Sequence, residues 1–222
     1  MFKEDFVSQF MPNIMDLLYL VPAILLALTV HEYAHAYISY RLGDPTPATD
    51  GRLSLNPLHH LDPMGTLMLL LFRFGWAKPV IVNPGYYKNP KQGMALVAAA
   101  GPVANFILAF ISMLVLTVLQ KLGISESPMT AAVVRFFLML LFINVGLGIF
   151  NLIPVPPLDG SKIVGALLPN RTYMKFMELS RYGFIIVIAL IFLGALNGPL
   201  VWARGAVVNG LQWMADTVTF FL

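Results

Sequence analysis

No cysteine occurs in the 222 residues of the chain. That excludes a disulfide scaffold, a thiol nucleophile and any cysteine-ligated zinc or iron–sulfur site. Charge is nearly as scarce. Fourteen basic and eleven acidic side chains make up 11% of the sequence, against ~25% in ordinary soluble domains. Charged side chains are almost never fully buried unless paired, so they form much of a soluble domain's shell, and so few cannot cover a chain of this size. What replaces them is apolar: 58% of residues are hydrophobic and the mean hydropathy is +0.77. Composition therefore excludes a soluble globular protein, a disordered chain and a nucleic-acid-binding module, and leaves a polytopic membrane protein. There is no internal repeat, low-complexity tract or long linker. Residues 1–222 read as one membrane-embedded domain, with a core over 15–170 and C-terminal helices over 180–222.

Four apolar segments, roughly 15–40, 94–120, 131–152 and 181–202, approach the ~20 residues needed to cross hydrocarbon. A fifth, 64–74, is too short to cross alone and reads as interfacial or re-entrant. The tail 205–222 spaces Asn209, Gln212 and Asp216 as an amphipathic or bundle-packed helix would. Residues 51–57 and 78–85 carry alternating or β-branched runs ended by Asn-Pro, the pattern of a strand and turn. The expected fold is an all-α polytopic membrane protein of four to six transmembrane helices with a small membrane-associated β-sheet. The mixed charges of Lys3, Glu4 and Asp5 do not suit a secretory signal. Ten of the fourteen basic residues fall in the loops after the first and third spans, which puts those loops in the cytoplasm.

Against this background, ionisable residues inside a span stand out, because burying them in lipid is costly. The first span ends Thr29-Val30-His31-Glu32-Tyr33-Ala34-His35, an H-E-x-x-H within an apolar helix. At ~100° per residue, positions 31 and 35 lie about 40° apart and one turn from each other. Both imidazoles can reach one Zn²⁺, with Glu32 on the flank to take a proton from the attacking water. A hydrogen-bonded network between helices is the bland alternative, and the density of polar groups in a span argues against it.

Catalytic zinc takes three protein ligands and keeps an open position. Without cysteine, the third must be Asp, Glu or His. Asp159 follows the third span in Asn151-Leu152-Ile153-Pro154-Val155-Pro156-Pro157-Leu158-Asp159-Gly160. The prolines break the helix, and non-helical backbone at membrane depth is tolerated where it lines a polar cavity. Asp159 is thus expected at the depth of the histidine pair, as a ligand, as a helix cap, or as both.

H-E-x-x-H at one span's end, the N-x-x-P-x-x-P-L-D-G segment at another's, and Gly101-Pro102-Val103-Ala104-Asn105 between them resemble the site-2 protease family of intramembrane zinc metalloproteases. The resemblance covers about residues 20–170 and is closest to a minimal form without PDZ or CBS domains. It implies one zinc per chain on His31, His35 and Asp159, with Glu32 as general base. It also implies that Asn151 contacts the substrate carbonyl or the oxyanion. The implied substrate is the membrane-spanning segment of another protein, cut in the lipid bilayer of the cell membrane near the cytoplasmic side. It further implies that strands of the first cytoplasmic loop lie beside the site, where an edge could hold an unwound peptide. A metal or proton transporter, or an inactive scaffold, could use the same polar cluster. A transporter would spread its acids along a path and show repeat symmetry.

Other polar residues have plainer readings. His59 and His60 are adjacent and do not share a helix face; Asp62 and Pro63 there suit the N-cap and first position of a helix. Gly101, Ala104 and Asn105 read as helix packing, and Asn144 as a residue that orients the site from behind. Asp16 and Arg135 fit interfacial anchors, and Trp76, Trp202 and Trp213 an aromatic belt.

Overall fold

The computed structural model describes residues 14–65, 77–124 and 127–221. Its principal helices are α1 (Ile14–Arg41), α2 (Pro90–Lys121), α3 (Pro128–Asn151), α4 (Asp159–Leu167), α5 (Asn170–Glu178), α6 (Ser180–Phe192) and α7 (Asn197–Val218). The expectations for residues 1–13, Trp76 and most of 64–74 lie outside the described residues.

Helices α1, α2 and α3 are each long and apolar enough to cross a membrane. The starts of α2 and α3 follow local chemistry. Asn89 and Ser127 accept hydrogen bonds from the amides of Gln92 and Thr130, and Pro90 and Pro128 occupy the first helical positions. The three helices pack mutually. Small side chains, among them Ala23, Ala27, Ala98 and Ala109, are buried between them, which lets backbones approach closely where lipid offers no hydrophobic drive. On the opposite face of α2, Val103, Ile107 and Ile111 are about half-exposed at i, i+4, i+8, as a lipid-facing stripe requires.

The expected span 181–202 is not one helix. α6 stops at Phe192, and α7 leaves at 89° to it, so this pair counts as a span only if taken as one bent unit. Gly194, at φ +68°, supplies the left-handed residue of a helix stop. Gly194 N donates to Ile191 O and Ala195 N to Leu190 O, the pattern that closes such an end. The described residues thus contain three spanning helices, or four with the bent pair. The tail does pack into the bundle: Leu211 and Ala215 are buried with Ala109, Met113, Leu141 and Val145.

The expected β-sheet is absent among the described residues, where only an isolated bridge joins Leu61 and Ala77. The reason lies in where the backbone donors go. Val80 N donates to the Glu32 carboxylate and Asn83 N to Asp44. Each Asn-Pro opens a 3-10 turn, Pro57–His59 or Pro84–Tyr86, with the asparagine side chain as its cap. The segment after Lys78 is tied to carboxylates of α1 and its exit loop rather than to a ladder.

Asp44 is the anchor of that tie. It is fully buried and accepts from Ser39 Oγ (2.8 Å), Thr46 N (3.0 Å) and Asn83 N (2.8 Å), while Ser39 Oγ also meets the Tyr87 hydroxyl at 2.7 Å. Burial pushes the Asp44 carboxyl up, but hydrogen bonds from Thr46, Asn83 and Ser39 outweigh it and hold it below its ordinary value. A depressed folded-state pKa contributes stability that is present above the unfolded value and lost as pH falls through the folded one. Asp44→Ala should therefore destabilise the protein by about 1–3 kcal/mol for each buried donor left unpaired. It should also flatten the loss of thermal stability on acidification below about pH 4. Thermal unfolding in detergent from pH 3 to 7 checks both, and an unchanged acid limb would show that Asp44 is not the group responsible.

Candidate metal centre

His31 and His35 face the bundle interior near the end of α1, both buried, with Nε2 atoms 3.0 Å apart. Asp159 Oδ2 lies 3.3 Å from His31 Nε2 and 3.1 Å from His35 Nε2. A zinc ion with ligands at about 2.0–2.1 Å in a tetrahedron has ligand–ligand edges of about 3.3 Å. The three atoms form such a face nearly edge for edge, and the donor set, two imidazoles and a carboxylate, suits a catalytic zinc that keeps one position open. This is the one His/Cys/Asp/Glu group among the described residues with metal-ligand geometry.

α2 forms the back wall of the cluster with three positions one turn apart. Val97 O accepts from His35 Nδ1 at 2.7 Å, and Asn105 Oδ1 accepts from His31 Nδ1 at 2.6 Å. Between them sits Gly101, where a Cβ would lie 2.5 Å from His31 Cε1 and from His35 Nε2. Both imidazoles are thus held from behind by the nitrogen that faces away from Asp159. Such contacts fix the tautomer and ring orientation of metal-binding histidines.

Asp159 arrives through the turn between α3 and α4. Proline at 154, 156 and 157 cannot continue a helix, and the chain folds back so closely that a Cβ on Gly160 would meet Leu152 O at 2.2 Å. Asp159 is the first residue of α4, and its carboxylate faces His31, His35 and Lys162 rather than capping the helix. The far end of α4 is tied to α2 through Lys91, whose Nζ donates to Leu168 O and lies over the Tyr173 ring.

A cavity of about 170 Å³ opens onto the open side of the triad, lined also by Glu32, Val80, Asn151 and Lys162. Glu32 Oε2 accepts from Val80 N at 3.1 Å, which aims the carboxylate along the cavity wall. Asn151, also on the cavity wall, donates from Nδ2 to Leu147 O at 3.0 Å, and its amide has a second hydrogen to give. The structure thus brings together all five residues singled out in the sequence.

His59 and His60 are elsewhere. His59 Nδ1 meets Gly51 O and buried His60 Nε2 meets Ser54 O, as parts of a compact knot with Arg52. Asp62 accepts from Gly65 N at 2.7 Å, as the cap reading required. Sequence reasoning took Asn105 for a packing residue and passed over Val97 and Lys162. A polar residue in a span was the available signal for Asn105. The carbonyl of Val97 has no sequence signature at all.

The model of peptidase family M50 matches residues 19–194. "Putative zinc metalloprotease YwhC" of Bacillus subtilis is 40% identical over 185 residues, 83% of this chain and 84% of the relative. "Putative zinc metalloprotease Rip2" of Mycobacterium tuberculosis is 29% identical over 198 residues, 86% of this chain and 71% of the relative. "Zinc metalloprotease MJ0392" of Methanocaldococcus jannaschii is 29% identical over 116 residues, 51% of this chain and 32% of the relative. No solved structure matches.

Proposed function

The chain belongs to peptidase family M50, the site-2 protease family whose motifs it carries, and from that premise we propose that it is an intramembrane endopeptidase. It is a membrane protein and a zinc metalloprotease. Its substrates, on this reading, are membrane-spanning segments of other proteins, cut near the cytoplasmic face of the cell membrane. The single observation that carries the reading is the triad of His31, His35 and Asp159 beside Glu32 at the end of a spanning helix, with a cavity in front. The polar groups gather at one depth, unlike the extended path a transporter needs.

We assign the metal to His31, His35 and Asp159. When bound, zinc supplies Lewis-acid polarisation of the scissile carbonyl and a lowered pKa for the attacking water. Glu32 accepts a proton from that water as its oxygen attacks the carbonyl carbon. As the C–N bond breaks, Glu32 returns the proton to the departing amine nitrogen. Asn151 offers its free N–H to the carbonyl oxygen as negative charge develops there. Lys162, 3.4 Å from Asp159 Oδ1, keeps that oxygen turned away from the histidines. Val80 and Val82 border the cavity, with the Val80 amide serving Glu32. The whole chain acts as one membrane-embedded catalytic domain.

Zinc removal tests this directly. Purified protein should carry about one zinc per chain. Treatment with a chelator should abolish cleavage of a single-span substrate, and stoichiometric zinc should restore it. Cleavage that survives complete metal removal would overturn the proposal.

A further inference from the structure

Behind His31 a chain of amides runs to the backbone of α3. Asn144 Nδ2 donates to Leu140 O at 2.8 Å. Asn105 Nδ2 donates to Asn144 Oδ1 at 2.7 Å and, at 3.2 Å, to Ala27 O. Asn105 Oδ1 then receives His31 Nδ1 at 2.6 Å. Asn105 and Asn144 are both fully buried. Their direction is dictated at the far end. A backbone carbonyl only accepts, so Asn144 must turn its NH2 to Leu140 and its oxygen to Asn105. Asn105 must then present NH2 to Asn144 and oxygen to His31. An amide oxygen can only accept, so His31 carries its proton on Nδ1 and keeps the Nε2 lone pair for the triad.

We propose that Asn105 and Asn144 are positioning residues forming a polarised relay that sets the tautomer of His31, with Asn144 controlling it from two residues away. The proposal rests on the assignment of His31 as a metal ligand. His35 needs no such relay, because the Val97 carbonyl fixes it directly. In a low-dielectric interior a reversed amide faces acceptor against acceptor, so the relay holds one polarity. Ala27 O accepts from the same Asn105 Nδ2 at 3.2 Å and so favours the same polarity.

The test uses the full chain in detergent with ¹⁵N-labelled histidine. In wild type, ¹⁵N–¹H correlation spectra should show His31 protonated at Nδ1, with and without zinc; an unprotonated Nδ1 would overturn the proposal without any variant. Asn144→Leu removes the acceptor for Asn105. It should weaken zinc binding ten- to a hundred-fold in chelator competition and mix the His31 tautomers, while the His35 signals stay put as the check on folding. Asn144→Asp, neutral in this interior, can donate to Leu140 O and accept from Asn105, and should restore wild-type affinity. Wild-type affinity and tautomer in Asn144→Leu would sink the relay. His35→Ala separates this from failure of the metal assignment. If His35→Ala loses zinc while Asn144→Leu does not, only the relay is wrong; if His35→Ala binds zinc like wild type, the triad itself is wrong.

Discussion

Glu32→Gln is expected to lower cleavage of a single-span substrate a hundred- to ten-thousand-fold, the range ascribed to a positioned general base, while zinc content stays at the wild-type level. The two halves of this expectation have separate causes. Glu32 is outside the triad that forms the metal face, so its charge is not needed to hold the ion. Gln keeps an acceptor for Val80 N, so the cavity wall should stay where it is. What Gln loses is the ability to take a proton from water and give it to the leaving amine. Single-turnover cleavage and elemental analysis on the same preparations check the result. Equal cleavage by both zinc-loaded proteins would remove Glu32 from the chemistry.

Gly101→Ala should abolish stoichiometric zinc binding and activity together. The added Cβ would stand 2.5–2.6 Å from atoms of both imidazoles, where nonbonded carbons need about 3.5–4.0 Å. Neither ring can step aside freely, because Asn105 holds His31 and Val97 O holds His35. Moving either ring by the missing ångström exceeds the roughly 0.2 Å tolerance of a metal site. The alternative, displacement of α2 from α1, separates two helices that pack directly against each other. Zinc content, with helicity measured by circular dichroism, distinguishes ligand displacement from unfolding. A Gly101→Ala protein with one zinc and full activity would contradict the close approach seen here.

Much of the site was legible in the sequence because of contrast. In a chain with so little charge, H-E-x-x-H within an apolar run and an aspartate after three prolines are conspicuous. The helical period alone puts His31 and His35 on one face. The first three spans were equally plain, since crossing lipid demands long apolar runs. The last one was not. A hydropathy reading runs straight through Gly194 and Asn197-Gly198-Pro199, because a helix stop is made by one residue's φ and two backbone hydrogen bonds, not by loss of apolar character. The sheet failed for a related reason. Alternation over 78–85 reports an extended chain, but whether its amides meet another strand or a carboxylate depends on what folding brings alongside. Here Glu32 and Asp44 took them.

By itself the sequence determined the solvent, the three long spans and the residue types available for a zinc site without cysteine. Those follow from composition and from periods of a few residues. Only the tertiary structure decided that Asp159 completes the face with His31 and His35, and that α2 holds both rings from behind. It alone decided that Asn105 and Asn144 point their amides one way. Those contacts join residues 39 to 128 positions apart, and no local pattern encodes a distance or the direction of a hydrogen bond across such a gap.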